Sequence, residues 1–237
     1  MRESKELKVR KDVSEVKERN RFLSKVYWWM TVALVISGAV AFAVSKTPAI
    51  LQFLFGYRGI PFIVLCVLEI VIVFWLSSRI RTMKVITATI GFLIYSVVNG
   101  LTLSSIFIVY NIQSIFTVFL ISALLFVFMA VYGSFTKSNL NSAGRYLFMA
   151  LIGIIICSVV NLLLKSQMLE WIISTVTVLV FTGLTAYDAQ KLVRASEEAE
   201  RQEEDVFQKA SILGALELYL DFINIFLALL RLFGRRK

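Results

Sequence analysis

Long apolar runs alternate with short polar segments along the chain, and this pattern predicts seven membrane-spanning helices. A hydrocarbon core about 30 Å thick is crossed by about 20 apolar residues in helical form. The predicted spans are 26–45, 61–78, 85–110, 114–132, 146–164, 169–188 and 212–232. We therefore expect an all-α polytopic membrane protein.

The polar segments predict how the chain is divided. Residues 1–25 contain nine Lys/Arg and five Asp/Glu, which is typical of a charged cytoplasmic segment ahead of a single seven-helix domain, 26–237. The segment 189–211 is also charged and is expected to extend the sixth helix into water. Pro48, Gly56 and Gly59 mark residues 46–60 as a loop.

Basic residues predict the orientation. With seven spans and a cytoplasmic N-terminus, the cytoplasmic segments hold 18 Lys/Arg and the opposite side holds 7, as the positive-inside rule requires. Arg231, Arg235, Arg236 and Lys237 run against the rule, because they then lie outside. A re-entrant last segment would return them to the cytoplasm, but the apolar run 212–233 is long enough for a full span.

Composition excludes several classes of function. The chain is 58% hydrophobic and 17% charged, with a net charge of +9 and no histidine. The absence of histidine excludes Ser-His triads, HExxH zinc sites and haem-histidine ligation. Cys66 and Cys157 lie inside predicted spans and match neither a metal spacing nor a redox pair. The basic residues lie mostly at helix ends, which indicates topology control and contact with anionic lipid rather than nucleic-acid binding.

Two aspartates lie inside the last two spans, where an ionisable group is costly and usually functional. Asp188 ends the sixth span, and Asp221 lies about 13 Å into the seventh at 1.5 Å per residue. Consecutive antiparallel helices can bring the two carboxyl groups together. Close carboxylates share a proton and titrate as a pair, so they can sense pH without histidine. They also offer oxygens to Ca²⁺, but fewer than a tight site uses, which favours a weak site and passage over storage.

Four further polar residues are candidates for an ion path. Glu217 precedes Asp221 by one turn on the same face, although it could instead reach the cytoplasmic water. Glu69 lies in the middle of the second span and is a candidate for a second buried acid. Asn99 and Asn224 either line the path or simply bond neighbouring groups.

Two arginines are candidates for a latch on the aspartate pair. Arg79 and Arg81 end the second span, and either side chain could reach Asp188 and form a charge-assisted hydrogen bond. The alternative is ordinary anchoring of the helix at the cytoplasmic surface, and the sequence does not choose between them.

Several motifs, in order, make the chain similar to the Bax inhibitor-1 family, also called the transmembrane Bax inhibitor motif family. The motifs are Asn99-Gly-Leu-Thr-Leu-Ser104, Tyr132-Gly-Ser-Phe-Thr136, Gly144-Arg-Tyr-Leu-Phe148, Thr182-Gly-Leu-Thr-Ala-Tyr-Asp188 and Leu218-Tyr-Leu-Asp221-Phe-Ile-Asn224. The resemblance covers about residues 20–235 and is strongest to the bacterial branch.

The resemblance implies a fold, an activity and site residues. It implies seven transmembrane helices with the seventh enclosed by the other six. It also implies a pH-sensitive Ca²⁺ leak with a di-aspartyl proton sensor at Asp188 and Asp221, latched by Arg79 or Arg81. Glu69 matches the acidic position of the second helix. We expect no cofactor. The expected partners are the lipid bilayer, protons and Ca²⁺, and Ca²⁺ is the expected permeating ion.

Two other functions stay open. The chain could be a non-transporting regulator of a membrane protease or of a stress or cell-death partner, as family members have been described. It could also be an intramembrane aspartyl protease, but the Gly-x-Gly and Pro-Ala-Leu elements of that class are absent, so we expect no enzyme. The expected location is the bacterial inner membrane, or the endoplasmic reticulum if the source is eukaryotic.

Overall fold

A computed structural model describes residues 2–56, 59–80, 82–199 and 204–237. Within these ranges the chain forms helices and no strand. The helices are α1 (Arg2–Ser45), α2 (Pro48–Gly56), α3 (Ile60–Arg79), α4 (Val85–Val109), α5 (Ile112–Phe135), α6 (Asn141–Leu164), α7 (Gln167–Ala199) and α8 (Glu204–Phe233). All except α2 are long and apolar enough to cross a membrane, which confirms the predicted all-α polytopic architecture.

The helix boundaries follow from local chemistry, with one difference from the prediction. The segment 46–60, predicted to be a loop, contains the short helix α2, which starts at Pro48, and proline suits a first helical position. Gly59 then adopts a left-handed conformation at φ 71°, and α3 begins after it. As predicted for the charged linker, α7 continues past Asp188 into the polar segment, and α8 begins well before its apolar run.

The last helix forms the centre of the bundle. It packs against α1, α4, α5 and α7, whereas α3 packs mainly on α4 and α6 packs on α7. Leu218, Tyr219 and Ile225 on α8 are completely buried. The prediction of a central last helix is therefore refined: four of the six other spanning helices pack directly on α8, and α3 and α6 lie on the outside of the bundle.

The two ends of the bundle carry different groups. At one end, which we call the tail end, residues 234–237 follow α8 and lie against the turn between α4 and α5, where the Asn111 N–H donates to the Arg235 carbonyl oxygen at 3.0 Å. At the other end, which we call the aspartate end, Arg21 of α1 pairs with Glu204 at the start of α8 at 3.3 Å. Helix α8 thus runs from one end of the bundle to the other, which supports the predicted full span over the re-entrant alternative.

Candidate functional site

Asp188 and Asp221 meet at the interface between α7 and α8. Their carboxyl groups are within hydrogen-bonding reach of each other, and they are only 6% and 4% exposed. Among the described residues, no N–H or O–H group donates to Oδ2 of Asp221. An ionised carboxylate only accepts hydrogen bonds, so a hydrogen bond between the two groups needs one proton that they share. The predicted contact between the two aspartates is present.

A lysine and a glutamate lie beside this pair. The Nζ atom of Lys191 is 2.7 Å from Oε1 of Glu217, and both side chains are partly exposed. Both charges act on Asp188, with opposite signs. Glu217 lies near the pair, as its spacing from Asp221 suggested, whereas Lys191 was not predicted. Its spacing of three residues from Asp188 was the available signal, because residues three apart on a helix share a face.

Glycines hold the segment of α7 that carries Asp188 against α5 and α6. A Cβ atom added to Gly133 of α5 would lie less than 3.0 Å from the backbone oxygen of Ala186, and one added to Gly144 of α6 would lie 2.5 Å from the Tyr187 ring. Only glycine allows such approaches. The Tyr-Gly-Ser and Gly-Arg-Tyr motifs thus fix the helix on which Asp188 sits.

The turn between α5 and α6 is hydrogen-bonded to the same helix. The Gln190 side chain accepts from the Leu140 N–H at 3.0 Å and donates to the Ser138 carbonyl at 2.8 Å. One turn further, Arg194 donates to the Asn141 side chain at 2.9 Å. The glutamine is buried, so its bonds are protected from water. These contacts fix the turn beside the aspartate pair, and the sequence pattern did not reveal them.

Glu69 belongs to a separate hydrogen-bonded network. Its Oε1 accepts from the Thr102 hydroxyl at 2.6 Å and from the Asn99 amide at 3.3 Å. The Asn99 oxygen accepts from the Tyr219 hydroxyl at 2.7 Å, and Ser37 lies 2.6 Å from that hydroxyl. The network links α3, α4, α8 and α1. It explains how a glutamate is accommodated within the spanning region, since Oε1 of Glu69 accepts two hydrogen bonds.

The remaining predicted residues lie elsewhere. Arg79 is exposed and, among the described residues, has no ion pair, and Arg81 lies outside the described residues. The Asn224 side chain donates to the Leu220 carbonyl of its own helix at 2.8 Å. Over the part of the chain that the structure describes, no group of three or more acidic, histidine or cysteine side chains is arranged to hold a metal. The arginine latch and the weak Ca²⁺ site stay predictions.

Comparisons with known proteins agree with this architecture. A family model described as an inhibitor of apoptosis-promoting Bax1 matches residues 19–237. The chain is 45% identical over 216 residues to the inner membrane protein YbhL of Escherichia coli strain K12, covering 91% of this chain and 92% of the relative. It is 37% identical over 223 residues to an uncharacterized protein of Borreliella burgdorferi, covering 94% and 95%. It is also 37% identical over 217 residues to one of Rickettsia prowazekii, covering 92% and 90%.

Proposed function

Since the chain belongs to the Bax inhibitor-1 family, we propose that it is a pH-sensitive calcium leak of the bacterial inner membrane. The relative from Escherichia coli is named as an inner membrane protein, and the seven apolar helices suit the same location. The proposed orientation places the aspartate end in the cytoplasm, in accordance with the distribution of basic residues.

The observation that supports this function most directly is the buried contact between Asp188 and Asp221. With one shared proton, the two carboxyl groups join α7 to α8. When that proton leaves, two negative charges face each other in a region from which water is largely excluded. Like charges repel strongly there. We propose that this repulsion separates the two helices and opens a path, so that flux rises with pH.

The same carboxyl groups explain why the path would take a divalent cation. Once separated, Asp188, Asp221 and Glu217 present oxygen ligands of the kind that Ca²⁺ prefers. They supply fewer than the six to eight oxygens of a storage site. A cation is therefore attracted but not retained, as a leak requires.

A basic group beside the pair would set the pH of opening. The resemblance assigns that role to Arg79 or Arg81, and an arginine latch remains part of the proposal. Among the described residues, the cation that acts on Asp188 is Lys191, which Glu217 holds at 2.7 Å. We propose that this ion pair adjusts the pH of opening.

The test is calcium influx into dye-loaded liposomes that contain the purified protein, at about pH 6 and about pH 8. Asp221→Asn is the informative variant, because its amide can still donate to Asp188 but cannot release the shared proton. Asp205→Asn is the matched control, since it makes the same chemical change at an exposed position of α8. Flux that rises with pH in the wild type and the control, but not in Asp221→Asn, is the expected result.

Two outcomes would contradict the proposal. An unchanged pH profile in Asp221→Asn would exclude the aspartate pair as the sensor. An absence of flux at both pH values, with folded protein in the liposomes, would exclude the leak and favour the non-transporting regulator of a membrane protein.

A further inference from the structure

A cavity of about 740 Å³ opens at the tail end of the bundle. It lies between the end of α1, the turn between α4 and α5, and residues 234–237. This end is opposite to the aspartate pair, and nothing in the proposed calcium leak uses it. Its size is within the range of small-molecule sites.

The tail that borders the cavity is fixed by backbone hydrogen bonds. The Lys237 N–H donates to the Val109 carbonyl at 3.0 Å, and the Asn111 N–H donates to the Arg235 carbonyl at 3.0 Å. The Arg235 N–H donates to the Ser114 hydroxyl at 3.2 Å. The basic side chains of the tail are therefore presented from an ordered backbone.

The cavity has a strong excess of positive charge. Lys46, Arg235 and Lys237 line it, and none of the described lining residues is acidic. Lys237 donates one hydrogen bond to the Phe107 carbonyl at 2.7 Å, and an ammonium group has two further hydrogens. Helix α5 also begins at this cavity, without a side-chain cap from Asn111, so its first N–H groups add positive potential. These groups together favour an anion.

An apolar crevice of about 220 Å³ adjoins the basic cavity. Phe107 and Ile112 line both spaces. The crevice runs between α1, α4, α5 and α8, and its lining is almost entirely apolar, including Phe116 and Phe226. A free phosphate ion would use only the basic cavity. A molecule with an anionic head and a hydrocarbon chain would fill both.

We propose that the tail end binds an anionic phospholipid, with its phosphate headgroup among Lys46, Arg235 and Lys237 and one acyl chain in the crevice. This site would explain why basic residues occur at the tail end, where the positive-inside rule disfavours them. The phosphate of a headgroup in the leaflet at the tail end offsets part of the positive charge of these three side chains, and the chain covers the gap between α1 and α5. A zwitterionic lipid compensates these charges less well.

The test is native mass spectrometry of the full chain in detergent, titrated with phosphatidylglycerol and, separately, with phosphatidylethanolamine. The wild type is expected to retain phosphatidylglycerol about tenfold better than phosphatidylethanolamine, because each basic group near an anionic headgroup adds affinity. The triple variant Lys46→Gln, Arg235→Gln, Lys237→Gln is expected to lose this preference.

The matched control removes the same charge from the aspartate end. Lys84→Gln, Lys137→Gln, Arg145→Gln changes three exposed basic residues and is expected to keep the wild-type preference. Equal retention of phosphatidylglycerol by the two triple variants would overturn the proposal.

A second variant tests the crevice without altering charge or the tail. Gly38 of α1 lines the crevice, and a Cβ atom added there meets no atom within 4 Å. Gly38→Leu is therefore expected to fold, to fill the crevice and to weaken phosphatidylglycerol binding about tenfold. Unchanged binding would exclude the crevice as the chain site. Inorganic phosphate added as a competitor is expected to leave the lipid bound, and displacement would show that a free anion is the ligand.

Discussion

Replacing Gly133 by alanine is expected to destabilise the bundle through the contact between α5 and α7. The added Cβ atom would lie less than 3.0 Å from the carbonyl oxygen of Ala186, whereas ordinary contact begins at 3.4 Å. The two backbones must therefore move apart by at least 0.4 Å, the difference between these distances. The oxygen belongs to the helical backbone and cannot rotate away, so the neighbouring Asp188 moves with it.

The expected change in the free energy of unfolding is the sum of two opposing contributions. Overpacking a well-packed site costs about 1–3 kcal/mol, and a clash with backbone belongs at the upper end of that range. Alanine gains up to about 1 kcal/mol over glycine in helix propensity. Gly153→Ala on α6 receives the same propensity gain, but its Cβ meets no atom within 4 Å. The difference between the two variants therefore isolates the steric cost, which we expect to be about 2–3 kcal/mol.

The assay is thermal unfolding of the two variants in the same detergent. A difference of about 2–3 kcal/mol corresponds to a midpoint about 5–10 °C lower for Gly133→Ala than for Gly153→Ala. Equal midpoints would refute the reasoning, because they would show that α5 and α7 can separate without cost. They would also show that Gly133 does not fix the position of Asp188.

Three further predictions concern polar groups. Tyr219→Phe leaves the Asn99 oxygen without its buried donor and is expected to lower the free energy of unfolding by about 1–3 kcal/mol in denaturant titrations. Glu217→Gln removes a negative charge beside the aspartate pair and releases Lys191, so calcium flux is expected to rise at a lower pH than in the wild type. Gln190→Leu removes the hydrogen bonds that hold the turn between α5 and α6, so faster hydrogen exchange is expected at residues 136–141.

Each of these variants has a control of the same residue type that lies away from the contact under test. Tyr146→Phe is expected to change stability by less than about 0.5 kcal/mol, and an equal loss in both tyrosine variants would contradict the role of the network. Glu170→Gln at the tail end should leave the pH of flux unchanged; the same shift in both glutamate variants would indicate a general charge effect. Gln167→Leu, on the same helix as the test residue, should leave exchange in the turn unaltered.

The seven spans and the contact between the aspartates were predictable because each depends on a simple energetic rule. A long apolar run in a helix crosses a membrane, and an acid within such a run needs a partner or a proton. Asp188 and Asp221 lie on consecutive helices, so each aspartate had a possible partner on the neighbouring helix. Helix α2 was missed because a nine-residue apolar stretch between prolines and glycines also fits a loop.

The parts of the site that the sequence did not reveal depend on how the helices are rotated about their axes. The contact between Tyr219 and Asn99 joins residues 120 positions apart, and no local pattern specifies which buried polar groups face each other. Lys191 fits the pattern of an ordinary anchoring lysine until its distance to Glu217 is known. The buried Gln190 resembles any polar residue at the end of an apolar helix.

The central position of α8 has a consequence for biogenesis. Translation proceeds from the N-terminus, so the helix that fills the middle of the bundle emerges after the other seven. Until it enters, the faces of α1, α4, α5 and α7 that it will cover have no partner, and Asp188 has no second carboxyl group. Closure of the tail onto the turn at Asn111 comes later still. The nascent chain therefore passes through an insertion phase in which the groove between these helices is open.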